Sequence, residues 1–485
     1  MRLILILFLV KPCLSWASSP AGESYSRASV LFDGTKLTLS QKAALMQKRS
    51  ENHRPWFGLI ASIVHKPEGG FDRYDGFSDS AIWTGVYTAA QALRYQTTGD
   101  PDALKLMEES LWGLAALHEI TGVPGLIARC IVPRELADQE GFFGDSHWQL
   151  GTGKYEGWAW RGMLTNDQYD GYLFGLAAAW PYITSSRLRQ RIKEIAAGMA
   201  EHVIANDLRI IDWPSGTFID FRGNFLDQHH WPQVFRRLPV APLGPANSLH
   251  GLHLMKVCAW ITGDPRFEDY YLRKMLKEEE FDAAMAKYQS FGMDILRGPV
   301  GRGAVALAYG KDVKTDGPGI RSNVATNLSH MAFYDLTRLE TYPDLRAFYR
   351  EQFKKLHDPV QNEANSFWDF LYTSQFENSG AVDRAVDSLA RFPERPVFGA
   401  VDHTGNPSIK KRRVLRVDYL HDSERIRWHA LKPLPFEKRA LHPGFAWQHN
   451  PYDLRGGWDF EEGSGADYLI AYWLGRSQGR IKAED

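Results

Sequence analysis

Two identical tetrapeptides mark the ends of long apolar segments in this chain. Residues 98–101 and 262–265 both have the sequence Thr-Gly-Asp-Pro. A Gly that ends one helix, an Asp that caps the next and a Pro at its first position together predict a tight turn between two helices. The segment before each turn is apolar on nearly all sides, whereas the segment after it is amphipathic. The repeated unit is therefore a hairpin that joins a buried helix to an outer one.

This hairpin recurs along the chain. Apolar helices are predicted over 80–97, 167–182, 249–261, 324–339, 367–373 and 466–474. Amphipathic helices are predicted over 38–49, 102–121, 188–205, 266–277, 345–356 and 381–389. Six buried helices with outer partners are typical of helical hairpins closed into a ring. We therefore expect an all-α protein, a single (α/α)6 toroid over residues 38–485 that follows a leader at 18–37.

Long loops separate the predicted hairpins. They cover 66–77, 122–165, 207–246, 291–321 and 392–462, and each ends near the start of a buried helix. If the buried helices run parallel, all these loops lie on one face of the ring. Loops longer than about 15 residues in a compact domain are usually functional, so we expect the site on this face. Residues 414–417 and 426–428 are predicted as short strands in the last loop.

The hairpin pattern and the Thr-Gly-Asp-Pro turns resemble those of six-hairpin (α/α)6 toroids among carbohydrate-active enzymes. These include unsaturated glucuronyl hydrolases, N-acylglucosamine 2-epimerase-like proteins, several polysaccharide lyases and inverting glycosidases. The resemblance covers most of residues 38–476 and rests on architecture, because no family-specific catalytic signature matches residue by residue. It implies an enzyme that acts on carbohydrate, although fold alone does not select the reaction.

The amino-terminal sequence predicts export. Arg2, the apolar run 3–10 and the Ser-Trp-Ala sequence at 15–17 are typical of a secretory signal peptide over residues 1–17. We therefore expect a periplasmic or secreted protein. No later apolar run reaches the roughly 18–20 residues of a membrane span. The net charge of -1 gives no electrostatic basis for binding nucleic acid, and the basic run 410–413 is interpreted as a solvated loop.

Composition points to carbohydrate more than to a disulfide framework. The chain has 16 Trp, and tryptophan side chains are a common platform for sugar rings. After signal cleavage only Cys130 and Cys258 remain, either as one bridge or as two buried thiols. No sequence matches a nucleotide-binding loop, and we expect no cofactor and no metal. The oligomeric state is left open.

Paired carboxylates are predicted where the second buried helix begins. Asn166 is expected to cap this helix, and Asp167 and Asp170 share one face of its first turns, beside the positive helix end. Further acidic residues lie at the first and last buried helices. The first, second and last buried helices would be neighbours in a closed ring, because the last closes on the first. An inverting glycosidase needs two carboxyl groups roughly 6–10 Å apart, one as acid and one as base. The predicted catalytic carboxylates are Asp167 or Asp170 with Asp79, Glu461 or Glu462.

Aromatic and basic residues near these carboxylates are the predicted substrate contacts. Tryptophan side chains would stack on sugar rings and raise the pKa of a neighbouring carboxyl group by desolvation. Arginine and histidine side chains would orient the substrate. The predicted binding residues are Trp83, Trp158, Trp160, Trp231, Trp458, Arg129, Arg161, His229 and His250.

Two alternatives stay open at this stage. In a lyase or epimerase, His229 or His230 with Tyr169 would abstract the proton next to a uronate carboxyl group, and an arginine, Arg161 or Arg129, would neutralise the developing charge. In a glycan-binding envelope protein without activity, the tryptophans would remain but no two carboxylates would meet at one bond. A zinc site built on these histidines would need three converging ligands.

Overall fold

The computed structural model describes residues 37–66, 68–212, 217–222, 245–283, 299–315, 317, 320–394, 397–398, 401–415, 426–439, 445–456 and 460–485. Its α-helices are α1 (Leu39–Asn52), α2 (Ser80–Thr98), α3 (Pro101–Glu119), α4 (Arg134–Gln139), α5 (Asn166–Ala179), α6 (Ser186–Ala205), α7 (Pro245–Thr262), α8 (Pro265–Asp269), α9 (Pro299–Tyr309), α10 (Asn323–Leu339), α11 (Pro343–His357), α12 (Ser366–Thr373), α13 (Ser379–Ala390) and α14 (Ala466–Ser477).

Six of these helices form a closed inner ring. Helices α2, α5, α7, α10, α12 and α14 pack against one another in this order, and α14 packs against α2. The outer layer consists of α1, α3, α6, α8, α11 and α13, and a π-helical turn, Tyr270–Glu278, continues α8. The inner helices are buried over most of their length because both sides are covered. The predicted (α/α)6 toroid is thus confirmed.

The turns between the helices follow the chemistry of their caps. Gly99 and Gly263 have positive φ values of 67° and 64°, a conformation that glycine adopts without steric cost. Asp100 and Asp264 then accept a hydrogen bond from the second following backbone N–H, at 2.9 Å in each case. The two Thr-Gly-Asp-Pro turns are therefore confirmed as helix–helix connections.

The start of α5 differs from the prediction. Its N-cap is Thr165, which makes no side-chain capping bond, so the assignment of Asn166 as the cap was wrong. The Asn166 amide instead donates to Oδ1 of Asn247 in α7, at 2.6 Å. A contact with the neighbouring inner helix replaces the local cap, and it shows that α5 and α7 begin on the same face of the ring.

Short antiparallel strands line the loops on this face. They are β1 (Ser62–His65), β2 (Phe71–Asp75), β3 (Cys130–Pro133), β4 (Trp148–Leu150), β5 (Trp158–Arg161), β6 (Arg209–Asp212), β7 (Thr217–Asp220), β8 (Val397–Phe398), β9 (Val401–Asp402), β10 (Lys411–Leu415), β11 (Ile426–Ala430), β12 (Arg455–Gly456) and β13 (Glu461–Glu462). The sheets have the orders β2-β1-β13-β8 and β3-β5-β4, and the other strands form pairs.

The strands confirm one expectation, and several of them lie in segments that were expected as loops. Strands β10 and β11 lie at the predicted positions in the last loop, although each differs from its predicted bounds by a few residues. Residues 158–161 and 461–462 were expected as loop and form β5 and β13, because each finds a partner strand far away in the sequence. Helix α9 also lies within a predicted loop.

Helices α2 and α5 approach each other so closely that only glycine fits between them. A Cβ atom added to Gly85 would lie 1.9 Å from the carbonyl oxygen of Gly171, and one added to Gly175 would lie 2.5 Å from the carbonyl oxygen of Gly85. Real Cβ atoms do not make contacts this short. The close approach brings the first turns of the two helices together on the loop face.

Three further expectations concern the cysteines, membrane-spanning helices and the signal peptide. Cys130 and Cys258 are both buried and free, so the reading as two thiols is the correct one. Within the described ranges, none of the helices combines the length and the apolar character that crossing a membrane requires. The predicted signal peptide, residues 1–17, lies outside the described residues.

Candidate active site

The candidate site lies where α2 and α5 begin. Asp79 immediately precedes α2, and Asp167 is in the first turn of α5. The side-chain Nε2 of Gln168 donates to Oδ1 of Asp79 at 3.1 Å and to Oδ2 of Asp167 at 3.3 Å. One donor atom therefore joins two carboxyl groups from neighbouring inner helices. The two bonded oxygens are therefore held close together, at the short end of the range of spacings that the carboxylate pairs of glycosidases span.

A guanidinium group fixes Asp79 from the other side. Arg129 donates from Nη2 to Oδ1 of Asp79 at 2.7 Å and from Nε to the carbonyl oxygen of Ser78 at 2.8 Å. Its Nη1 reaches Oγ1 of Thr165 at 3.2 Å. Arg129 thus links the residues before α2 to the N-cap of α5. The Asp79 carboxylate is ion-paired, and its side chain is still 43% exposed.

The small sheet β3-β5-β4 brings a second arginine to the same place. Cys130 pairs with Arg161 across β3 and β5, so Arg129 and Arg161 emerge close together at the end of the sheet. Arg161 donates from Nη1 to Oγ of Ser78 at 2.9 Å, and its Nη2 lies 3.4 Å from Oδ2 of Asp145. Each of the two cations thus contacts a carboxylate, Arg129 that of Asp79 and Arg161 that of Asp145.

The electrostatics separate the roles of the two carboxyl groups. Burial raises the pKa of Asp167, the charge of Arg129 acts against this, and the negative charge of Asp79 raises the pKa further. The hydroxyl group of Thr165 donates to Oδ1 of Asp167. The pKa of Asp167 therefore lies above that of an ordinary aspartate, while Asp79 pairs with the guanidinium group of Arg129. Two carboxyl groups in such different surroundings are suited to be an acid and a base.

The two glutamates of β13 lie near the residues that precede α2, since a Cβ atom added to Gly76 would be 3.6 Å from Oε1 of Glu461. Burial and the charge of Asp75 raise the pKa of Glu461 to about 7. Although burial alone would raise the pKa of Glu462, the neighbouring side chains of His53 and His65 and the charge of Arg49 lower it to about 2. Nε2 of His65 lies 2.5 Å from Oε2 of Glu462. Among the described residues, no hydrogen bond joins either glutamate to the aspartate pair.

Asp170 lies one helical turn below Asp167 and is buried. Its Oδ2 is 2.7 Å from Nδ1 of His250, and its Oδ1 is 3.1 Å from Nδ1 of His253. The other ring nitrogen of His253 lies 3.0 Å from Oδ2 of Asp335 in α10. Asp170 is 1% exposed, so a substrate cannot contact it in this structure. Its contacts join α5, α7 and α10 beneath the site.

Several predicted site residues belong to the core. Tyr169 is buried, and its hydroxyl group donates to the carbonyl oxygen of Gly125 at 3.1 Å. Trp83 is buried and stacks on Phe445 with a ring separation of 4.7 Å. Trp160 is buried as well. Large aromatic side chains at these positions stabilise the fold through the area that they bury, and they do not present a surface to a sugar.

Other predicted residues are half-buried or not described. Trp158 is half-buried, with its ring 4.6 Å from that of Phe57. His229, His230, Trp231 and Trp458 lie outside the described residues. In the part of the chain that the structure describes, no group of three or more His, Cys, Asp and Glu side chains is arranged to hold a metal ion.

The sequence reasoning missed Gln168 and Thr165. Gln168 lies in the same turn as Asp167, and its uncharged amide gives no signal of a catalytic role in the sequence. The contact of Gln168 with Asp79 depends on which helix packs beside α5, and only the tertiary structure shows this. The position of Thr165 was predictable from the local sequence, since a threonine before a helix is a common N-cap.

Comparisons with known proteins give one distant structural match. No protein-family model matches the chain, and no curated protein matches it. The crystal structure of an unsaturated glucuronyl hydrolase specific for heparin matches with a TM-score of 0.39 and 10% identity, covering 91% of this chain and 97% of that one. That protein is of a family whose hairpin pattern this sequence resembles. At this TM-score and identity the match carries no argument about activity.

Proposed function

We propose that this chain is a carbohydrate-active enzyme that hydrolyses a glycosidic bond in a polysaccharide or oligosaccharide. Asp167 is the general acid and Asp79 is the general base. The observation that carries the proposal is the position of Gln168, whose one amide nitrogen bonds to both carboxyl groups. Because Asp167 comes from α5 and Asp79 from the start of α2, the pair exists only in the folded ring.

The roles follow from the two environments. Asp167, with its raised pKa, gives its proton to the oxygen of the leaving sugar. Asp79, ion-paired with Arg129 and more exposed to solvent, takes a proton from the water that attacks the anomeric carbon. The glycosidic C–O bond breaks, a C–O bond to water forms, and one new reducing end results.

A uronate lyase or epimerase is the second candidate. Arg129 and Arg161 favour it, since two guanidinium groups beside the pair suit a sugar carboxylate. The position of Tyr169 does not favour a lyase or epimerase, because its hydroxyl group is buried and donates a hydrogen bond to a backbone carbonyl. A glycan-binding protein without activity is the third candidate, and the close carboxylate pair does not favour it.

One assay separates these three functions. The purified protein is incubated with a panel of bacterial and plant polysaccharides, and both new reducing ends and the ultraviolet absorbance of unsaturated uronates are followed. We expect reducing ends to appear without absorbance. Absorbance would indicate elimination and refute the hydrolase. Binding of a polysaccharide without either product would instead support the binding protein.

We also propose that the protein is exported, on the basis of the signal-like residues 1–17. Cell fractionation followed by amino-terminal sequencing tests this. The expected mature protein begins at residue 18, after Ala17. Recovery of the intact amino terminus from the cytoplasm would contradict export and would leave the proposed chemistry unaffected.

A further inference from the structure

A short turn, residues 162–165, connects strand β5 to the helix that carries Asp167. Strand β5 ends at Arg161, and α5 begins at Asn166 with Thr165 as its N-cap. Because the connection is short, its backbone conformation sets where the candidate acid stands relative to the sheet. A residue from a distant part of the chain, Asp212, contacts this turn.

The centre of the turn has a strained backbone. Met163 has a φ value of 63°, in the left-handed region where the Cβ atom comes close to the following carbonyl oxygen. Residues keep such a conformation only where the surrounding structure fixes it, and they cluster at functional sites. The side chain of Met163 is 37% exposed, so packing of that side chain contributes little to holding the conformation.

Asp212 holds the backbone of the turn. It is the last residue of β6 and is 1% exposed. Its Oδ2 accepts hydrogen bonds from the backbone N–H groups of Met163, at 2.5 Å, and Leu164, at 3.2 Å. The carboxylate also packs against Gly162, where an added Cβ atom would lie 3.0 Å from Oδ2. One buried carboxylate therefore contacts three consecutive residues of the turn.

The turn in turn contacts the candidate active site. The backbone carbonyl oxygen of Met163 accepts a hydrogen bond from Nη1 of Arg129 at 3.0 Å. This guanidinium group also donates to Oγ1 of Thr165 at 3.2 Å and pairs with Asp79. The hydroxyl group of Thr165 donates to Asp167. The turn therefore contacts both Arg129 and the carboxyl group of Asp167.

Asp212 and Arg129 hold one peptide unit from its two sides. The carbonyl group of Met163 and the N–H group of Leu164 belong to the same planar peptide, and in a trans peptide they point in opposite directions. The N–H group bonds to Asp212 and the carbonyl group bonds to Arg129. Without Asp212 this peptide is free to rotate, and a rotation would break the hydrogen bond to Arg129.

We propose that Asp212 is a positioning residue for the candidate active site. It fixes the peptide between Met163 and Leu164, and this peptide holds Arg129 in place beside the aspartate pair. The consequence for catalysis rests on the proposed function. The positioning itself is measurable without turnover.

The pKa of Asp167 reports the position of Arg129. Burial raises this pKa, and of the charged groups around it Arg129 lowers it while Asp79 and Asp170 raise it. In Asp212→Ala we expect Arg129 to move away, so the pKa of Asp167 should rise. If Asp212 acted only through its own negative charge, its loss would instead lower this pKa. ¹³C NMR against pH gives the sign, and a lowered or unchanged pKa would overturn the inference.

Asp220→Ala is the matched control for a general loss of stability. Asp220 lies in β7, the partner strand of β6, and is 4% exposed. Its side chain also accepts a backbone N–H group, that of Arg222, at 2.9 Å. We expect a similar decrease in Tm without a rise in the pKa of Asp167. An equal rise in both variants would show that loosening of the strand pair is responsible, and would refute the role of Asp212.

Gly162→Ala disturbs the same contact from the side of the turn and leaves Asp212 in the chain. The added methyl group would lie 3.0 Å from Oδ2 of Asp212, so the carboxylate must shift away from the backbone N–H groups. We expect the pKa of Asp167 to rise in this variant as well, by less than in Asp212→Ala. This variant decides the question if Asp212→Ala does not fold, and an absence of any rise would then overturn the inference.

Turnover supplies the second measurement. On a polysaccharide that the wild type cleaves, Asp212→Ala is expected to lower kcat roughly 100-fold, as a misplacement of about 1 Å at a reacting group does. Asp212→Asn should keep most of the activity, because its amide oxygen can accept the same two hydrogen bonds. Equal losses in the two variants would contradict a role through these hydrogen bonds.

The two readouts keep this inference apart from the proposed function. If the wild type cleaves no polysaccharide and Asp212→Ala still raises the pKa of Asp167, the hydrolase proposal fails and the positioning role stands. If the wild type cleaves a polysaccharide and the pKa of Asp167 does not rise in Asp212→Ala, the positioning role fails alone.

Discussion

The carboxyl groups of Asp79 and Asp167 accept hydrogen bonds from the same nitrogen atom, Nε2 of Gln168. Two inner helices each contribute one carboxylate, and the amide between them holds their spacing without adding charge. Burial and the negative charge of Asp79 raise the pKa of Asp167, against the opposing charge of Arg129. In the proposed mechanism this relationship distinguishes the acid from the base, and it leads to predictions about pH, spacing and stability.

The first prediction concerns pH. The general acid must be protonated, so kcat/KM is expected to fall as pH rises through the pKa of Asp167, which lies above the ordinary aspartate value of about 3.9. In Asp79→Asn the loss of a neighbouring negative charge should lower this pKa. The carboxyl resonance of Asp167, followed by ¹³C NMR against pH, measures it without turnover. An unchanged pKa in Asp79→Asn would show that the two groups do not interact.

The second prediction concerns the bridging amide. Gln168→Glu keeps the shape of the side chain but places a third carboxyl group between two others. We expect the alkaline limb of the kcat/KM profile to move to higher pH, because like charges stabilise the protonated form of Asp167. Gln139→Glu, at an exposed position in α4, is the control and should leave the profile unchanged. A profile that does not move in Gln168→Glu would remove Gln168 from the site.

The third prediction concerns the contact between α2 and α5. Gly85→Ala forces a methyl group against the backbone of Gly171, so the helices must separate and the aspartate pair must widen. Overpacking of this kind costs about 1–3 kcal/mol, and we expect a lower Tm together with a lower kcat. Gly303→Ala in α9 meets no atom within 4 Å and should be neutral or slightly stabilising. Equal Tm values for the two variants would contradict the close packing.

The fourth prediction concerns the buried ladder beneath the site. Burial alone would lower the pKa of His253, but the carboxylates of Asp170 and Asp335 raise it to about 9. The imidazolium ion then joins three inner helices. His253→Leu leaves both carboxylates without this partner, and breaking a buried ion pair costs about 3–5 kcal/mol. Lys105→Ala removes an exposed pair with Glu109, which should contribute about 0.3–0.5 kcal/mol.

The pH dependence of this stability has a definite sign. The pKa of His253 is about 9 in the folded protein and about 6.5 in the unfolded chain. Its stabilisation is therefore complete below about pH 6.5 and is lost as pH rises through about 9. Denaturant titrations of the wild type and His253→Leu at a series of pH values test this. A difference that stays constant between neutral pH and pH 10 would show that His253 is not charged in the folded protein.

Most of the helical architecture was predictable from the sequence. Apolar helices followed by amphipathic ones, with a Gly and a capping Asp at turns such as 98–101, are local signals that the structure confirms. Strands such as β5 and β13 were not predictable, because each is stabilised by a partner distant in the sequence. The close packing at Gly85 had a partial signal in the Gly-x-x-x-Gly spacing of Gly171 and Gly175, but the sequence does not say which helix lies opposite.

The site was predictable only in part. Asp79 and Asp167 follow from acidic residues at helix starts, and the packing of the second inner helix against the first places them near each other. Asp170, like Asp167, is an acidic residue near the start of a predicted helix. It is nevertheless buried, because the second turn of α5 packs against α7 whereas the first turn meets solvent. The roles of Asp79 and Asp167 stay predictions, as do those of the residues outside the described ranges.

The most direct test of the central claim is the rate of cleavage by Asp79→Asn and Asp167→Asn on the polysaccharide that the wild type cleaves. Both variants keep the size and the hydrogen-bonding shape of the carboxyl group but lose its proton chemistry. We expect kcat to fall roughly 10²- to 10⁴-fold in each variant, as the loss of a general acid or base does, with substrate affinity nearly unchanged. Cleavage by either variant at the wild-type rate would contradict the account.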